Sequence, residues 1–131
     1  MSNPSRQHRV TTVRSTQTVT VEIDGTVVAK SERPLVLFET GLPPRYYLPP
    51  EDVELALFEA TDTHTTCPFK GEASYWSYVG ADGTTEARTD VVWGYPDPLD
   101  AVAEIAGHLS FYDDVATIHV EGELPAEPPA A

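Results

Sequence analysis

The sequence predicts a mainly β domain, and three observations carry that expectation. In "TVTVEIDG", Val19, Val21 and Ile23 alternate with polar residues and run into an Asp24-Gly25 pair. Two aromatic segments, "EASYWSYV" and "EARTDVVWGY", face each other across a glycine-bounded loop. Only one stretch, "DPLDAVAEIAGH", reads well as a helix.

In chain order, residues 1–15 are polar without a hydrophobic period and are expected to be flexible. The alternating strand follows, and Asp24-Gly25 supplies the positive φ angles of a tight hairpin turn. Thr26 to Lys30 form the return strand. "PLVLFE", Pro34 to Glu39, is a third strand, with proline at its first position. The four prolines of "GLPPRYYLPPEDV" exclude regular structure across most of it, leaving Tyr46 to Leu48 to pair briefly. Pro50-Glu51-Asp52 opens a short helical turn. "VELALFEAT" is assigned to a strand. Glu72 to Val79 and Glu86 to Tyr95 pair antiparallel through a loop at Gly80-Ala81-Asp82-Gly83, with Val91, Trp93 and Tyr95 on one face. The helix takes Asp97 as N-cap, Pro98 as first residue and Gly107 as stop. Its stripe of Leu99, Val102, Ala103 and Ala106 is expected to cover a sheet. Ala116 to Gly122 form the last strand. The tail "PAEPPAA", 125–131, is proline-rich and expected to be disordered, which leaves one domain over 16–124.

Composition narrows the partners. Eight basic residues against 21 acidic ones give a formal net charge of −13. That field repels phosphate backbones and anionic membranes, so neither nucleic acid nor membrane is expected as a partner. The single cysteine permits no internal disulfide and no paired-cysteine zinc motif, which fits a reducing compartment. No apolar run approaches the ~20 residues of a membrane span. The first 15 residues carry three arginines but no apolar core, unlike a secretory signal. A cytoplasmic location is the expectation.

The chemistry concentrates in "THTTCPFKGEASYW". Cys67, the only cysteine, lies three residues from Lys70, one of two lysines. A thiol is nucleophilic as thiolate, and a nearby cation stabilises that form. Pro68 stiffens the turn that would hold both groups. His64 is a candidate base. Against this, an unpaired cysteine is more often a small buried hydrophobe. His8, His108 and His119 show no ligand spacing, and His64-x-x-Cys67 supplies at most two ligands, so neither metal nor cofactor is expected.

The segments "DGTVVAKSERPLVLFE", "PPRYYLPPEDV", "TTCPFKGEASYWSYV", "DVVWGYPDP" and "GHLSFYDD" carry a resemblance. In content, order and spacing the chain resembles, over roughly residues 19–122, the bacterial family known as domain of unknown function 427. The resemblance implies two antiparallel sheets meeting in a tent-like arrangement with one short covering helix near the C-terminus, similar to methionine sulfoxide reductase B and the cereblon ligand-binding domain. Relatives of that fold clamp zinc with two Cys-x-x-Cys pairs, which this chain lacks. A nucleotidyltransferase label sometimes accompanies the family, but no Gly-Ser followed by an Asp-x-Asp pair occurs here.

The family's motif residues fall on Glu39, Tyr46, Tyr47, Cys67, Pro68, Lys70, Gly71, Tyr75, Trp93 and Tyr95. Converging, they would form an aromatic cup holding a carboxylate, an amine and a thiol. A small-molecule-binding domain ranks first, with Glu39 and Lys70 orienting the ligand. An enzyme with Cys67 as nucleophile and Lys70 as support ranks second. A structural or interaction module ranks third.

Overall fold

The computed structural model describes residues 8–80 and 88–128. The described residues are mainly β, with antiparallel sheets and no closed barrel among them. β1 (Val10–Arg14), β4 (Leu35–Glu39) and β5 (Arg45–Tyr47) form one sheet in the order β1-β4-β5. β2 (Thr18–Ile23), β3 (Thr26–Ser31) and β10 (Thr117–Glu121) form another, in the order β10-β2-β3. β6 (Phe58–Cys67), β7 (Gly71–Tyr78), β8 (Arg88–Gly94) and β9 (Leu109–Phe111) follow one another in a four-stranded sheet. Leu48 and Leu109 exchange backbone hydrogen bonds of 2.8 Å each way, so the first sheet continues into the third just past β5.

Two cores result. Val19, Val21, Ile23 and Val28 of the β2-β3 hairpin pack on Leu48, Val92 and Phe111. Leu35, Leu37 and Tyr47 of β4 and β5 pack on Ala73, Trp93 and Tyr95, closed below by Val102 and Ile105. The alternating burial of β2 puts its three apolar residues into the first core, as period two requires.

The β2-β3 turn has positive φ at both residues, 52° at Asp24 and 82° at Gly25. Those signs are what a two-residue type I′ hairpin needs. We expect Gly25→Val to cost about 1–3 kcal/mol, the strain of a left-handed non-glycine residue. Open space surrounds a Cβ built at Gly25, so the cost is conformational rather than steric. It is read as a lower urea midpoint at unchanged slope, and an unchanged midpoint contradicts it.

Several local expectations are corrected. β1 lies inside the segment expected to be loose. Its residues pair with β4 from Val10↔Glu39 to Arg14↔Leu35, and a partner strand orders a segment whose own pattern is weak. "VELALFEAT" is not one strand, because Leu55–Leu57 make a 3-10 turn before β6 begins at Phe58. β6 then runs through the threonines to Cys67. It is polar because it is an edge strand with solvent on much of both faces. The loop expected at Gly80-Ala81-Asp82-Gly83 lies, beyond Gly80, outside the described residues.

The helix is a 3-10 segment, Asp100–Ile105, kinked at Val102. Leu99 is extended and its N–H donates to the Lys70 carbonyl at 2.9 Å, which denies Asp97 and Pro98 their expected capping roles. A three-residue repeat then turns Val102 and Ile105 inward together, while Leu99 is 47% exposed. Among the described residues no helix is long and apolar enough to cross a membrane.

Candidate functional site

Alternation along strands builds the site. Leu37 and Glu39 of β4, and Arg45 and Tyr47 of β5, are two-residue steps and so share a face. Trp93 of β8 and Tyr95 just beyond it repeat the pattern, and Tyr75 of β7 is in register with Trp93. Lys70 enters from the β6-β7 turn and Tyr112 from the end of β9. With Leu42 and Pro43 these residues line an open hollow of about 280 Å³.

The aromatic walls are mutually braced. Trp93 Nε1–H donates to the Tyr47 hydroxyl at 3.1 Å, and the two rings meet edge-on at 6.3 Å. Tyr112 packs on Trp93 at 4.4 Å, and the Arg45 guanidinium sits 5.0 Å from the centre of a Trp93 ring. The Tyr75 hydroxyl is 2.8 Å from Thr65 Oγ1. Burial pushes the Tyr47 phenol up to about 12 and raises Tyr95 further, and burial with a hydrogen bond to Tyr75 brings Tyr112 to about 12. At neutral pH these phenols are uncharged, so they can donate hydrogen bonds but cannot act as ready bases.

The charged wall is an ion pair. Lys70 Nζ donates to Glu39 Oε1 at 2.7 Å, with 10% and 12% of the two side chains exposed. His8 Nε2 meets Glu39 Oε2 at 2.7 Å while its ring stacks on Phe69 at 3.9 Å. Burial alone would raise the Glu39 pKa, but the bonds and charges of Lys70 and His8 outweigh it and hold the carboxyl below its ordinary value.

Of the residues expected at the site, Glu39, Tyr47, Lys70, Tyr75, Trp93 and Tyr95 converge on the hollow. Tyr46 does not. As neighbour of Tyr47 in a strand it points the other way, lining a larger hollow of about 400 Å³ beside β2 and β10 and donating to Gln17 Oε1 at 3.1 Å. That second hollow is mostly aliphatic, and its charged lining is Arg45 and Asp113. Cys67 stands behind Lys70, half-buried against the second core, with Sγ 3.5 Å from Nζ; it is not among the lining residues. His64 is three residues from Cys67 on one strand, so the two face opposite sides of the sheet. Its Nδ1 lies 3.4 Å from Ser74 Oγ instead.

Pro68 is exposed in the turn. Gly71 serves the backbone: its φ is 115°, and a Cβ there would come within 3.4 Å of the Pro98 Cα. Arg45, Tyr112 and His8 were not anticipated at the site. Arg45 was signalled by its two-residue step from Tyr47, whereas nothing local marked Tyr112 or His8. Among the described residues no group of three or more His, Cys, Asp or Glu is placed to hold a metal ion.

A family model described as a domain of unknown function (DUF427) matches residues 11–123. Among curated proteins, none matches the chain.

Proposed function

The chain belongs to the family described as domain of unknown function 427, and from that premise we propose that this domain binds a small molecule in the hollow between β4-β5 and β7-β8. One observation carries the reading. Five aromatic side chains and three charged ones, drawn from separate segments, surround space left open to solvent. A domain whose motif residues served packing alone would close that space, because dense packing is what makes buried rings stabilising. The volume is at the small end of ligand sites, which suits a metabolite of one or two rings.

The contact between Cys67 and Lys70 favours a second reading, a thiol nucleophile. It ranks lower because the thiol does not line the hollow.

The test uses the two indole N–H resonances of the protein, with Trp76→Phe to assign them. We expect phenol and indole, titrated into the millimolar range, to shift the Trp93 signal and leave Trp76 in place. No Trp93 shift with either probe defeats the proposal.

A further inference from the structure

We infer that the hollow takes a flat ligand carrying one anionic group, a carboxylate or similar oxyanion, and that Arg45 anchors it. This rests on the small-molecule reading above and narrows it by charge. The lining holds one carboxylate, Glu39, against two cations, Lys70 and Arg45. Glu39 is spent: Lys70 takes one of its oxygens and His8 the other, each at 2.7 Å. Lys70 is largely spent in the same pair. Arg45 is different. Among the described residues it makes no ion pair, although the chain holds 21 acidic residues to choose from. Asp113 borders the larger hollow on the other side of Arg45 but forms no ion pair with it.

The surroundings of Arg45 fit an anchor. Arg45 is half-buried, and its guanidinium carbon lies over Trp93, 5.0 Å from a ring centre, a contact that restrains the side chain. An arginine held this way offers two parallel donors to a carboxylate. Neutral phenols at Tyr47, Tyr95 and Tyr112 add uncharged walls that cost an anion no repulsion. A quaternary ammonium, the usual guest of an aromatic cage, would meet the Arg45 charge with no free carboxylate to offset it. The net charge of −13 does not exclude a small anion. Distant surface charges are screened over about 8 Å at physiological salt, while a contact inside the hollow is not.

Three probes on one naphthalene frame separate the possibilities: 2-naphthoate and 2-naphthamide, which match in shape and differ in charge, and the bulkier 2-naphthyltrimethylammonium, each followed at the Trp93 indole signal. We expect 2-naphthoate to bind about tenfold more tightly than the amide, the worth of one charge-assisted hydrogen bond, with the ammonium weakest. Arg45→Met should remove that preference, and Arg45→Lys should restore part of it. If the amide or ammonium equals or exceeds the carboxylate, the anion inference is overturned and the binding hollow stands. A carboxylate preference that survives Arg45→Met overturns the role of Arg45. If none of the three shifts Trp93, both this inference and the reading beneath it fall. The comparison on unaltered protein decides the ligand class even if Arg45→Met does not fold.

Discussion

Lys70→Met is expected to lower the free energy of unfolding by about 3 kcal/mol, the lower end of the cost of breaking a buried ion pair. The substitution keeps much of the side-chain volume and removes the charge. It leaves Glu39, 12% exposed, with His8 as its remaining partner. The loss therefore comes mainly from an uncompensated carboxylate. Glu39→Gln added to Lys70→Met should recover part of the stability, since exchanging both charges for neutral groups is far cheaper than orphaning one.

The pH dependence has a definite sign. The folded-state pKa of Glu39 is depressed, so its contribution is complete above the unfolded value, about 4.5, and is lost as pH falls through the folded value. The gap between wild type and Lys70→Met should narrow on acidification through that range. Urea titrations at pH 7 and in steps below pH 5 measure both effects. A cost under about 1 kcal/mol at pH 7 would mean the pair behaves like a surface salt bridge.

Trp93→Ala is expected to cost about 3–5 kcal/mol, as large aromatic deletions in cores do. Trp93 is 7% exposed, meets Tyr47 edge-on and belongs to the second core with Leu35 and Val102. Its removal takes the ring partner of Tyr112, the platform of Arg45 and the donor to the Tyr47 hydroxyl together. Trp93→Phe separates these roles. It keeps an aromatic wall and loses the N–H, so it should cost only about 1–3 kcal/mol, the penalty of a buried hydroxyl left without that donor. The alanine variant, where folded, should no longer bind 2-naphthoate. Equal stability of the two variants in urea would show that packing around the ring contributes little, against the density of this core.

The strands that could be read locally were those whose pattern is tied to burial on one face. Val19, Val21 and Ile23 alternate because one face of β2 meets the core, and Asp24-Gly25 announces its turn by backbone preference alone. β1 and the threonine-rich half of β6 carry no such signal, for the opposite reason. Each lies at the edge of a sheet with partly exposed side chains, so no hydrophobic period marks it. The helical segment misled because its cap signals are genuine local preferences. The Leu99–Lys70 backbone bond, a contact across 29 positions of chain, overrides them.

The candidate site divides in the same way. The residue types gathered at the hollow, and the two-residue steps that put Glu39 with Leu37, Tyr47 with Arg45, and Tyr95 with Trp93 on shared faces, follow from the sequence, because strand geometry is local. Which partners those faces meet follows only in part. That Lys70 beside a sheet needs a carboxylate, with Glu39 the candidate among the motif residues, is legible in the sequence, and the pair forms across 31 positions; that His8 closes on the same carboxylate and Tyr112 comes over Trp93 is not. Nor does the sequence say that Cys67 turns into the core while Lys70 turns to the hollow. Those outcomes depend on how separate strands register and pack, where the balance of desolvation against pairing is struck between groups far apart in the chain.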